Sequence, residues 1–178
     1  MRTRTAGFWL CALAFLGLAY APSVQADPGW IIAEPSEETR FTELTFGTSV
    51  DGREGFGLMP GVALGVPIID SGMIPPINDA LFIEAGLFVG PRIHRTRPNH
   101  VWVIPEAGPR WNFYLTPNWD AFASIKFGWA IGRHGDFWVR GTVGTCWWFL
   151  PQLALRAEFA GAAVVGGQGY LGLSYRFL

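Results

Sequence analysis

The feature that most constrains this chain is the alternation in its last ten residues, Gly169-Tyr-Leu-Gly-Leu-Ser-Tyr-Arg-Phe177-Leu178. Counting back from Phe177 in twos gives Tyr175, Leu173, Leu171 and Gly169, while the other parity gives Arg176, Ser174, Gly172 and Tyr170. Successive side chains of a strand point to opposite faces, so the segment is a ribbon with one greasy face and one small or polar face. Half of the 178 residues are hydrophobic, with many Trp, Phe and Gly. Beyond the amino-terminal stretch, however, no run approaches the ~20 apolar residues of a membrane helix. The apolar residues must therefore be placed by strands.

The same period recurs upstream. It is weakest over 39–49, after which Asp51-Gly-Arg-Glu-Gly55 reads as a tight turn between antiparallel strands. Over 56–67, Phe56, Leu58, Val62, Leu64 and Val66 share one face and Gly57, Met59, Gly61, Ala63 and Gly65 the other. A glycine-dense face suits a narrow lumen that bulky side chains enter from other strands. Pro60 removes a ladder donor there and predicts a bulge or a local edge. A long connection is expected over 68–78, with Pro75-Pro76. In 80–90, Leu81, Ile83, Ala85, Leu87 and Val89 face one way and Glu84 the other, and 91–99 reads as a basic loop. The strand over 100–115 is the most legible. It sets Val101, Val103, Ala107, Trp111, Phe113 and Leu115 against Trp102, Ile104, Glu106, Arg110, Asn112 and Tyr114. Further strands are expected over 119–132, 137–149 and 153–163, separated by turns at Thr116-Pro-Asn118, Arg133-His-Gly-Asp136 and Leu150-Pro-Gln152. The total is about eight, each near the ~9–11 residues that cross a bilayer at a tilt.

A last strand that carries aromatics at Tyr175 and Phe177 on its greasy face resembles the closing strand of small bacterial outer-membrane β-barrels of the OmpA/OmpX or porin-like type. One additional residue, Leu178, follows the Phe. The resemblance implies an all-β, antiparallel up-and-down transmembrane barrel in the outer membrane of a Gram-negative bacterium. It also implies that Tyr175 and Phe177 are the signal read by the barrel-assembly machinery. The amino terminus agrees. Met1-Arg-Thr-Arg4 is a positive region, an apolar run covers 8–20, and Val24 and Ala26 are the small residues before a cleavage site. Residues 1–26 are thus expected to be a cleaved signal peptide, 27–38 a periplasmic lead-in and 39–178 the barrel. Without 1–26 the chain keeps 11 basic and 14 acidic residues, far from the basic footprint of a nucleic-acid binder. The single remaining cysteine, Cys146, excludes an intrachain disulfide scaffold.

Alternation alone does not tell inside from outside, and a soluble lipocalin-like barrel would bury its greasy face around an apolar ligand. The aromatics favour the membrane. Trp111, Trp119, Trp129 and Trp147, with Phe113, Phe137, Phe149, Tyr175 and Phe177, all fall on the greasy parity, several near strand ends, as interfacial girdles require.

The polar parity gathers Glu84, Glu106, Arg110, Asp120, Lys126, Arg140, Arg156, Glu158 and Arg176, four acids against five bases. An eight-stranded barrel is only wide enough to be filled by side chains, so these charges are expected to pair and seal the lumen. The expected role is structural or surface-interacting, as a monomer. A narrow channel for small solutes, opened by switching pairs, is the alternative. A lipid A-modifying enzyme is a second alternative, but the lumen-face serines, Ser124 and Ser174, have no histidine at matching depth on their own or a neighbouring strand to activate them. No catalytic residue, cofactor or metal is assigned. His94, His100 and His134 lie in or beside loops at a spacing too unspecific for a metal site. The loop arginines Arg92, Arg95 and Arg97 are placed to contact lipopolysaccharide phosphates, which guanidinium groups bind in a bidentate way. Outer-membrane lipid, lipopolysaccharide and the assembly machinery are the partners expected, with no nucleic acid.

Overall fold

The computed structural model describes residues 42–51, 55–69, 73–74, 77–94, 100–132, 135–162 and 166–177. These form β1 (Thr42–Asp51), β2 (Gly55–Ile69), β3 (Asp79–His94), β4 (His100–Thr116), β5 (Trp119–Ala130), β6 (Asp136–Leu150), β7 (Leu153–Ala162) and β8 (Gly166–Phe177). Each strand pairs antiparallel with the next, and β8 pairs with β1 to close a barrel. Paired residues can be followed once around the wall, from Arg110 through Ser124, Thr142, Ala160, Gln168, Asp51, Gly57 and Arg92. The path returns to β4 at His100, ten residues from its start. That stagger is what tilts the strands against the barrel axis.

The barrel is polar inside and apolar outside. Phe159 is 65 % exposed while Arg110, on the inward parity, is 0 % exposed. Leu64, Ile83, Leu87, Ile125, Phe127, Val143, Leu155, Leu171 and Leu173 all lie on the outer surface. This is the reverse of a soluble barrel that wraps an apolar ligand. Aromatics band the outer wall near both ends. At the end carrying the chain termini, Trp111 packs on Phe113 (4.8 Å), Trp119 on Trp147 (6.3 Å), Trp147 on Phe149 (6.0 Å) and Tyr175 on Phe177 (6.4 Å). Trp129 and Phe137 meet at 6.3 Å toward the other end. The two closest turns, Pro117-Asn118 and Pro151-Gln152, also lie at the chain-terminus end, which matches the short periplasmic turns of membrane barrels.

The glycines of the inner wall act as sockets. A Cβ at Gly61 would strike the Phe88 ring of β3, and one at Gly144 would strike the Phe122 ring of β5. Each ring lies across its neighbour's bare backbone, and this is why the glycine-dense face of β2 coexists with a filled bore.

Several boundaries differ from the sequence-based expectation. Residues 91–94 are strand, not loop. Arg92 pairs with both Gly57 and His100, so the β3–β4 hairpin is taller than hydropathy indicates. β2 runs on to Ile69, and its register shift falls between Pro67 and Ile69 rather than at Pro60. At Pro60 the β1 ladder is unbroken, while pairing with β3 lapses between Gly57 and Gly61 without a change of register. The missing N–H thus makes a local edge and no bulge. β5 ends at Ala130, and Ile131 adds only an isolated bridge to Val103. The expected signal peptide and lead-in (1–26 and 27–38), residues 52–54 of the first turn, and Leu178 lie outside the described residues.

Candidate functional site: the charged lumen

The inward parity of β1 and β3–β8 delivers ten charged side chains into one bore. Glu84 of β3 is the hub. Its carboxylate accepts from Arg110 Nη1 at 2.7 Å, from Arg156 Nη1 and Nη2 at 2.8 and 3.0 Å, and from Lys126 Nζ. Arg110 reaches on to Glu43 through Nη2, and Glu43 also accepts from Arg176 Nε at 3.4 Å. Arg176 Nη2 donates to Asp120 Oδ2 at 3.2 Å, the same oxygen that takes Trp148 Nε1 at 2.7 Å. On the other side of the hub, Arg156 pairs with Glu158 at 2.6 Å and Lys126 lies 3.5 Å from Glu106. Arg140 bonds Glu106 and donates to Gln168 Oε1 at 3.4 Å. The result is one connected network of five acids and five bases among the described residues.

Every residue expected in the lumen lies there, buried: Glu84, Glu106, Arg110, Asp120, Lys126, Arg140, Arg156, Glu158 and Arg176. Sequence reading missed Glu43, because β1 carries Thr45, Gly47 and Ser49 on its inner face and Thr48 on its outer one, which blurs the alternation. A signal was nevertheless available. Four acids against five bases leaves one buried cation without a partner, and a buried unpaired charge is too costly to keep. Glu43 supplies the missing charge.

The cations are also stacked. Arg176 lies 3.4 Å over the Trp148 ring, and Arg110 and Arg156 each lie 4.5 Å over a phenylalanine, Phe82 and Phe122 respectively. Guanidinium is weakly hydrated and planar, so it stacks on aromatic faces more readily than an ammonium does. Met59, Gly61, Ala63 and Gly65 of β2 face the bore without adding a charge to it, and Arg110 occupies the space beside Gly65.

Each candidate nucleophile is bonded to another hydroxyl. Ser124 shares a 2.5 Å hydrogen bond with Thr142, and Ser174 shares one of 2.8 Å with Thr45. Cys146 is a buried thiol packed with Phe122, Trp148 and Ala154, a small filler of the wall. A second anchor that sequence reading did not single out is Asp79. It is fully buried and accepts Met73 N (2.9 Å), Ile74 N (3.4 Å) and Trp111 Nε1 (2.6 Å), tying the β2–β3 connection to the wall. The side chains of Arg92, His94 and His100, and all of Arg95, Arg97 and His134, lie outside the described residues. Tyr175 and Phe177 sit on the outer face of β8 at its end.

Comparison with protein-family models finds no match, and neither does comparison with curated proteins. Solved structures do match. The outer membrane protein Ail of Yersinia pestis in a phospholipid bilayer nanodisc aligns over 77% of this chain and 99% of its own, at 10% identity and a TM-score of 0.51. Ail in complex with the heparin analogue sucrose octasulfate aligns over 77% and 97%, at 9% identity and 0.53. A de novo designed transmembrane β-barrel aligns over 78% and 96%, at 13% identity and 0.51. The fold is that of the small outer-membrane barrels. At these identities the likeness concerns the fold and carries no activity with it.

Proposed function

We propose that this protein is a small outer-membrane β-barrel of a Gram-negative bacterium, exported by residues 1–26, with a sealed lumen and a structural and surface-contact role. The observation that carries this reading is the inversion of polarity. A neutral ten-charge network sits inside, and leucine, isoleucine and aromatic side chains cover the outside. In water such a surface would aggregate; in lipid it is at its lowest free energy. The deciding experiment is fractionation followed by electrophoresis with and without boiling. An outer-membrane protein whose mobility shifts on boiling is the expected result. Recovery from the soluble periplasm without a shift would overturn the reading.

The surface contact assigned to this barrel is the β3–β4 hairpin. Between Glu84 and Glu106 the chain has no acidic residue but carries Arg92, Arg95 and Arg97. β3 ends at His94 and β4 begins at His100, both at the end of the barrel away from the chain termini. The chemistry of that basic stretch fits phosphorylated saccharide, and in the outer leaflet that is lipopolysaccharide. Ail, which shares the fold, is known in complex with a polysulfated sugar. Replacing the three arginines with glutamine should weaken binding of the nanodisc-embedded barrel to lipopolysaccharide and flatten its salt dependence. Equal binding to dephosphorylated lipopolysaccharide would exclude phosphate as the ligand, and preferential binding to sulfated saccharide would transfer the contact to that source.

A further inference from the structure

Nine residues separate Ile69 of β2 from Asp79 of β3, against two in each of the other hairpin turns at the chain-terminus end. The side chains described there point outward and are apolar. The register shift between Pro67 and Ile69 breaks the alternation of β2, so two consecutive isoleucines, Ile68 and Ile69, lie on the outside. With Met73 and Ile74 they make a row of four large apolar side chains, each between 36 and 54 % exposed. Facing water, such a row is a liability.

The backbone of the same stretch asks nothing of water. Met73 N and Ile74 N donate to Asp79 Oδ1 at 2.9 and 3.4 Å. Pro75 and Pro76 have no N–H to place. Ile77 N donates to Ile74 O at 2.7 Å. Every amide donor from 73 to 77 is thus bonded within the chain, which an irregular segment in contact with lipid requires and a solvated loop does not. Asp79 is itself fully buried, and its other oxygen accepts Trp111 Nε1 at 2.6 Å. Trp111 packs on Phe113, the register partner of Asp79. The clamp is therefore fastened to the aromatic band at this end of the wall.

We infer that Ile68, Ile69, Met73 and Ile74 form an interfacial foot, sunk into the headgroup–acyl boundary of the periplasmic phospholipid leaflet. Continuity with the outer wall makes the occupant lipid. Ile68 follows Leu64 and Val66 down the exposed face of β2, and Ile69 pairs with Leu81 of β3. Asp70 is the single charge between Ile68 and Asn78, few enough for a segment that lies at the boundary. The foot fixes the depth of the β2–β3 side of the barrel, and Asp79 makes it possible by removing the need of its amides for solvent.

The inference rests on the membrane-barrel reading, and its test separates the two. In the full chain carrying Cys11→Ser and Cys146→Ala, a polarity-sensitive fluorophore is attached at Met73→Cys, at Ile74→Cys or at Asn118→Cys, an exposed control at the same end. Each protein is placed in phospholipid nanodiscs, and boiling-dependent mobility reports folding. A spin label carried high on the acyl chain should quench the fluorophores at 73 and 74 several-fold more than iodide does, with the reverse order at 118. Adding Asp79→Ala should raise iodide quenching at 73 several-fold while the mobility shift survives. Fluorophores at 73 and 74 as open to iodide as that at 118 would overturn the inference. So would fluorophores shielded from both quenchers, since a protein cover such as a second copy would then replace lipid. Unchanged quenching in Asp79→Ala would overturn the role of the clamp. Failure of the wild type to form a heat-modifiable barrel would instead strike the reading beneath it.

Discussion

Glu84 holds three cations on one carboxylate, all within the bore and all 2 % exposed or less. Replacing it with Gln leaves Arg110, Lys126 and Arg156 facing one another with one charge too few. Removing one member of a buried ion-pair set costs about 3–5 kcal/mol. Glu84→Gln should therefore lower the unfolding free energy of the liposome-embedded barrel, measured in urea, by an amount in that range. Glu158→Gln should cost less, because its main partner Arg156 keeps Glu84. Equal losses in the two variants would show that the hub has no special weight. The inward charges were legible residue by residue wherever the alternation was clean. Glu43 was not, since threonines fall on both faces of β1 and blur the alternation from which a face is counted. The parity rule finds a residue's face only when its neighbours differ in kind.

Individual strands were more legible in their faces than in their ends. The faces follow from the twofold pleat, which residue type records directly, whereas the ends depend on partners that the sequence does not place side by side. Arg92 to His94 look like loop because they are charged, yet they are strand because Phe56, Gly57 and His100 lie within ladder reach. Asp79 shows the same limit. It falls between the connection expected over 68–78 and the strand expected from residue 80, and its carboxylate clamps Met73, Ile74 and Trp111. Asp79→Ala should free the β2–β3 connection. Charge-assisted hydrogen bonds contribute about 1.5–3 kcal/mol, so protease sensitivity should rise within 68–78 while the boiling-dependent shift survives. A variant as resistant as wild type would mean that the clamp holds nothing. The glycine sockets also belong to this scale. Gly144→Val drives a branched side chain into the Phe122 ring and should cost about 1–3 kcal/mol of stability by overpacking. The pair Gly144→Val with Phe122→Ala should recover part of that loss, and the double-mutant cycle measures how much.

At the scale of the whole molecule, the barrel separates its two solvents completely. The outer wall carries apolar and aromatic side chains in bands, and the ten charges lie inside with side chains 5 % exposed or less. Closure was legible because the strands are even in number and the two tightest turns, Pro117-Asn118 and Pro151-Gln152, fall at the chain-terminus end. The filling of the bore was legible only in outline, since which ring enters which glycine socket depends on register. The separation has a consequence for salt. Surface ion pairs are screened over a Debye length of about 8 Å at physiological ionic strength, but pairs walled off from bulk ions are not. Unfolding of the reconstituted barrel in urea should therefore have nearly the same midpoint at low and at molar NaCl. A marked fall at high salt would mean that ions reach Glu43, Glu84 and their partners, and the bore would then have to be treated as an open electrolyte path rather than a closed one. The lipopolysaccharide binding proposed for the β3–β4 hairpin should weaken across the same range of salt, because a contact between arginines and phosphates at a surface is screened. The two salt responses, one flat and one steep, distinguish charges that fill the barrel from charges that face its surroundings.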